Sequence, residues 1–286
     1  MTQAKQADSR KRDQLVEEGY CVFEDILEDG ILTRITEVSN RLLDAKDPDA
    51  FEETRSTGWM ICVWDDPAFA ELIGWQPALE ALGSMGYDRP TFSTGFVISK
   101  EPHSPPLFWH QDWWGWNHPH SYTAVPQQIF FMYYLIDTTP ENGCLRLIPG
   151  SHLKRHEMHD SLPAAHTREI KRAENLSMPA FVPHPDEVEV CVKAGDLVMG
   201  DSRLLHSARA NTTDDRRTVI TLWYHPVFYQ LPEPMQAHLG APDRGARVRY
   251  PDWSQEAQRY VCDLVPIYDG ETEALEWNRT PGPMLR

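Results

Sequence analysis

Two hydrophobic textures divide the chain. Up to about residue 90, apolar residues recur at helical spacing: Ile31, Leu32, Ile35, Val38, Leu42 and Leu43 mark an amphipathic helix over 27–45. A shorter helix is expected over 11–18, followed by Gly19 and a strand over 20–23. A further helix is expected over 77–86, opened by proline and closed by glycine. From residue 91 the pattern changes to short runs of β-branched and aromatic residues between Pro, Gly, Asp and Asn. Strands are expected over 92–99, 128–136, 145–148, 181–183, 188–192, 197–199 and 218–224. A last helix fits 253–264, and long connections run over 152–180 and from 232 onward.

Helices come first and strands second, without β-α-β alternation. That order argues against a dinucleotide-binding fold and for a jelly roll. The reading is one domain over 1–286: a tail over 1–10, helical support over 11–90, a β core over 91–228 and a C-terminal extension over 229–286.

Composition narrows the function. A net charge of −16 disfavours nucleic acid and anionic membrane surfaces, and favours a neutral or cationic small-molecule substrate. An anionic ligand would need its own arginine. No stretch of 18 apolar residues is present, and the first 13 residues carry no apolar signal region. The five cysteines are widely spaced with no C-x-x-C pair, so the expectation is buried free thiols in a cytoplasmic protein. Monomer and homodimer both fit.

The chemistry centres on Trp109-His110-Gln111-Asp112-Trp113-Trp114. On a strand, His110 and Asp112 share one face, supplying two of the three ligands of a 2-His-1-carboxylate iron site. His206 is the third candidate. A turn-forming cluster follows it, and a hairpin symmetric about 211 and 212 places Arg217 opposite His206, about 5 Å away. A metal-bound histidine beside an arginine suits a dicarboxylate, chelating at one end and forked by guanidinium at the other. The plain alternatives are a hydrogen-bonded His–Asp pair and a surface arginine, for which Arg216 is the better candidate. His103, His118 and His120 read as loop residues and His225 as structural.

With H-x-D at His110 and Asp112, E-N-G-C-L-R-L-I-P-G-S-H over 141–152, G-D at Asp196 and H-x10-R at His206 and Arg217, the chain resembles the phytanoyl-CoA dioxygenase family of Fe(II)/2-oxoglutarate-dependent oxygenases over roughly residues 11–228. The resemblance implies a double-stranded β-helix, with His110, Asp112 and His206 holding Fe(II) and Arg217 holding 2-oxoglutarate. It also implies that Gln127 lies near the cosubstrate's C1 end and that Lys100 faces cosubstrate or substrate. The chain departs from family members at Ala208, where a serine is common, and at Met132, where a tryptophan often lines the pocket. Because Asp112 is a carboxylate, the implied reaction with O2 is oxygenation rather than halogenation: hydroxylation of a small molecule with release of succinate and CO2. Desaturation, cyclisation, epimerisation and a non-catalytic jelly-roll binding protein are the alternatives. Trp113, Trp114 and Trp116 are read either as packing or as substrate lining.

Overall fold

The computed structural model describes residues 9–243 and 245–286. Among the described residues ten strands run in chain order: β1 Tyr20–Phe23, β2 Trp59–Cys62, β3 Thr91–Lys100, β4 Leu107–His110, β5 Ile129–Tyr134, β6 Leu145–Leu147, β7 Val188–Val190, β8 Leu197–Asp201, β9 His206–Ala208 and β10 Arg217–His225. They form two antiparallel sheets. One has six strands in the order β1-β8-β5-β10-β3-β2, and the other has four in the order β4-β9-β6-β7. From β3 on, the chain crosses between sheets at every connection except that from β6 to β7, which makes a double-stranded β-helix.

The central strands explain their own composition. Ile-Phe-Phe-Met-Tyr-Tyr of β5 is buried throughout, because both faces of its sheet are covered. Ile129, Phe131 and Tyr133 join the cluster built with Ile31 and Ile35 of helix Asp29–Asp44 and Leu82 of helix Gln76–Ser84. Phe130, Met132 and Tyr134 point the other way, into the cluster between the sheets with Leu145, Leu147 and Val219. The same period of two turns Arg217, Val219, Thr221 and Trp223 of β10 toward the interior cavity.

Several expected elements shift. The 11–18 helix is Ser9–Glu17, so the proposed 1–10 tail falls mostly outside the described residues. The last helix is Gln255–Val261. Residues 181–183 are not a strand; this segment still docks on the fold, because Trp109 donates from its backbone N to Ala180 O (2.7 Å) and from its indole to Val182 O (3.0 Å). The 152–180 connection carries two short helices, Met158–Ser161 and Arg168–Arg172. All five cysteines are free, but only Cys21 and Cys144 are buried. Among the described residues no helix is long and apolar enough to cross a membrane.

Candidate metal centre

The chain brings His110, Asp112 and His206 together in the lining of the interior cavity. Their ligand atoms all lie within 4.8 Å of one another. Asp112 Oδ1 is 3.6 Å from His110 Nε2, and Asp112 Oδ2 is 3.7 Å from His206 Nε2. Asp112 does not sit on the strand as expected, since β4 ends at His110. Instead, the backbone N–H groups of Asp112 and Trp113 both donate to Ser202 O at 2.8 Å, and this bends the carboxylate back toward His110.

Both imidazoles are held in one tautomer. His110 Nδ1 lies 3.0 Å from Phe108 O, and His206 Nδ1 lies 3.0 Å from Leu204 O. A carbonyl only accepts, so each Nδ1 carries the proton and each Nε2 lone pair faces the centre. Burial, with His206 nearby, pushes the His110 pKa well below its ordinary value, which keeps the ring neutral and able to ligate. Burial opposes ionisation of Asp112, but His206, His110, Arg279 and the Trp223 indole N–H outweigh it, and the carboxyl titrates below its usual range. The Trp223 N–H donates to Asp112 Oδ2 at 2.9 Å.

The approach to His206 is rigid. Between β8 and β9, the Arg203 guanidinium pairs with Asp201 at 2.6 Å, both fully buried, and donates to the carbonyls of Ser121 and Thr123. Ser151 of the P-G-S-H segment accepts from Leu205 N at 2.9 Å, one residue before the histidine. Gly200 lets the Phe130 ring lie flat there, since a Cβ would meet its Cζ at 2.1 Å, and that ring tilts against His206 at 5.2 Å.

Arg217 and His206 are not a hairpin pair. His206 pairs with His110 and Leu147 in the four-stranded sheet, whereas Arg217 pairs with Lys100 in the six-stranded one. Asn211 makes the crossing: its amide donates to the carbonyls of Lys100, Glu101 and Asp215. Both residues nevertheless line one interior cavity, together with Lys100, Met132, Tyr134 and Ala208. Arg217 is buried, its Nε has no hydrogen-bond partner, and burial lowers its pKa. Lys100, also buried, donates to Pro105 O; burial and then Arg217 drive its pKa well down. Gly143 of the E-N-G-C segment has φ +94°, and a Cβ there would lie 3.1 Å from the Lys100 side chain.

The remaining sequence candidates divide. Gln127 does not reach the cavity; its amide donates to His120 O and Thr123 Oγ1 and ties down the loop that Arg203 also grips. Trp113 is core, donating to Ser121 Oγ, and Trp116 packs on Tyr122. Trp114 lines a second, outer pocket that adjoins the metal centre through Asp112, Phe96, Trp223 and Arg279. His103 pairs with Asp214 on the surface, Arg216 with Asp44, and His225 is buried against Gln127 O. Sequence reasoning missed Trp223, His166 and Arg279, all of which line the inner cavity. The β-strand period could have shown Trp223, two residues along from Thr221 on the inward face; nothing local marks the other two.

The sheets and this cluster define a double-stranded β-helix protein with a two-histidine, one-carboxylate centre. Residues 15–219 match the phytanoyl-CoA dioxygenase (PhyH) family, and the chain belongs to it. Ectoine dioxygenase of Nocardia farcinica is 28% identical over 146 residues, 48% of this chain and 47% of the relative. L-proline trans-4-hydroxylase of Streptomyces griseoviridis is 28% identical over 166 residues, 53% of this chain and 60% of the relative. The chain thus spans about half to three-fifths of the curated relatives it matches. Solved structures share the fold: EctD from S. alaskensis with bound Fe (TM-score 0.55, 20% identity, 79% of each chain) and the α-ketoglutarate-dependent epimerase SnoN from nogalamycin biosynthesis (TM-score 0.55, 21% identity, 76% of this chain and 82% of that one).

Proposed function

We propose that this protein is an Fe(II)- and 2-oxoglutarate-dependent oxygenase that hydroxylates a small molecule. One observation carries the reading: two imidazoles and one carboxylate converge beside a cavity that also holds the buried Arg217 guanidinium, whose Nε has no hydrogen-bond partner. The donor set fits the group. Two nitrogens and one oxygen suit Fe(II) and leave coordination positions open. Buried Arg217, whose Nε has no partner, fits the far carboxylate of a dicarboxylate. When bound, iron and 2-oxoglutarate supply the oxidant made from O2 for a substrate C–H bond, with succinate and CO2 as co-products.

The chain's own residues orient and enclose. Phe108 O and Leu204 O fix the imidazoles, and the Trp223 N–H occupies one lone pair of Asp112 Oδ2 and holds the carboxylate against both histidines. Met132, Leu145 and Val219 give the cosubstrate cavity apolar walls that exclude water. The names of the relatives, a dioxygenase and a hydroxylase, agree with hydroxylation.

The test is anaerobic addition of Fe(II) and 2-oxoglutarate, expected to give a weak visible charge-transfer band that His206→Ala abolishes. No band, together with unchanged iron and 2-oxoglutarate binding in His206→Ala, would overturn the reading. Product mass, gain of one oxygen against loss of two hydrogens, then separates hydroxylation from desaturation.

A further inference from the structure

The C-terminal strap crosses the mouth of the site and delivers one cation to it. Asn278 N donates to Trp114 O (2.7 Å), Trp116 N donates to Asn278 O (3.3 Å), and Gln111 Nε2 donates to Arg279 O (3.0 Å). These bonds pin residues 278 and 279 across the loop that carries Asp112. The Arg279 guanidinium stacks over the Trp277 ring at 5.0 Å, and its side chain lines both the inner cavity and the outer pocket. Arg217 lines only the inner one. Arg279 lies 60 residues beyond the family match, which ends at 219, so the shared family segment does not account for it.

Among the described residues no carboxylate forms an ion pair with Arg279, and its Nε is buried without a hydrogen-bond partner. Asp112 is the acid whose field it shares. A divalent cation and Arg217 balance Asp112 and a dianionic cosubstrate, which leaves Arg279 uncompensated in a chain of net charge −16. A guanidinium held on an aromatic face and short of partners is a fork for a planar oxyanion. Trp64, Trp114, Trp223 and Phe96 wall the outer pocket, and the Trp114 ring stacks on His238 at 4.0 Å and 21°. Asp243 and Arg249, both exposed, add charges of opposite sign at the same pocket.

We infer that the substrate is an organic carboxylate with a flat apolar body, its carboxylate taken by Arg279 and its body by the tryptophan-walled outer pocket. This rests on the oxygenase reading and reverses the preference for a neutral or cationic substrate that net charge suggests. Arg279 thereby sets specificity, while Arg217 serves the cosubstrate.

The test uses the full chain loaded anaerobically with Fe(II) and 2-oxoglutarate. Probes are matched sets: indole-3-acetate, indole-3-acetamide and tryptamine; phenylacetate, phenylacetamide and phenethylamine. Binding is read by the change in the charge-transfer band and, independently for the phenyl set, by quenching of tryptophan fluorescence, because the indole probes emit in the same band. In at least one set the carboxylate is expected to bind about tenfold or more tighter than its amide, the scale of a charge-assisted hydrogen bond. Arg279→Gln brings that ratio close to one, with Arg279→Lys intermediate and melting temperatures confirming folded variants. The proposal falls if no carboxylate binds, if amides or amines bind as tightly, or if the preference survives Arg279→Gln. A missing charge-transfer band in the unmodified protein, with iron and 2-oxoglutarate binding unchanged in His206→Ala, sinks the oxygenase reading instead, and fluorescence still decides the role of Arg279.

Discussion

Trp223 holds Asp112. Its indole N–H reaches from β10 of the six-stranded sheet to Oδ2 of a carboxylate carried past the end of β4 in the other sheet, at 2.9 Å. The bond holds the carboxylate with Oδ1 toward His110 and Oδ2 toward His206, and helps keep it ionised. Trp223→Phe keeps most of the ring and removes the donor. Metal affinity should fall by about 10–100-fold, the usual cost of losing a partner behind a ligand. Titration with Fe(II) or Co(II) reads this directly; unchanged affinity would show the bond to be idle.

Arg217 makes a second, separable prediction. Its guanidinium is buried and its Nε is unpartnered. Arg217→Gln should raise the 2-oxoglutarate concentration needed for half-maximal charge-transfer absorbance by about 30-fold or more, the lower end for truncating a buried charged contact. Arg217→Lys should recover part of the loss, because an ammonium keeps the charge without the fork. A 2-oxoglutarate dependence equal to that of the unmodified chain in both variants would remove Arg217 from the cosubstrate site.

The turn before His206 depends on a buried ion pair. Asp201 and Arg203 are 1–2% exposed and 2.6 Å apart. Asp201→Ala strands a guanidinium in the core and should cost about 3–5 kcal/mol in urea unfolding. Replacing both residues by apolar ones should cost less than the single change. Equal costs would mean that the guanidinium's bonds to the Ser121 and Thr123 carbonyls, not the pair, hold the turn.

How far the sequence could be read depends on the range of the interaction. The period of two in β5 and β10 gave the buried core strands, because side-chain alternation is local, and the motif spacing gave all three cluster residues although Asp112 lies past the end of β4. Partner choice between strands is not local. A turn-rich stretch between His206 and Arg217 looks like a hairpin, yet Asn211 spends its amide on Lys100, Glu101 and Asp215 carbonyls and sends the chain to the other sheet. The family resemblance puts Gln127 near the cosubstrate's C1 end, but its amide is used by its own loop. Arg279 was invisible because its place follows from backbone bonds between Asn278 and the Trp114–Trp116 segment, 162 to 164 residues away.

His225 contributes to the pH dependence of stability. It is fully buried at the end of β10, 3.0 Å from Gln127 O, and burial lowers its pKa from 6.5 to about 4. Above pH 6.5 the ring is neutral whether the chain is folded or not, and its contribution is fully present. As pH falls, the unfolded chain takes up the proton first, so stability declines from 6.5 and the loss is complete below 4. The depression corresponds to about 3 kcal/mol over that window. His225→Asn keeps a donor for Gln127 O but cannot titrate. Its unfolding free energy should be lower at pH 7, from the smaller side chain, and should fall less steeply between pH 6.5 and 4. Urea denaturation across that range compares the slopes; parallel curves for variant and parent would exclude His225 as the titrating group.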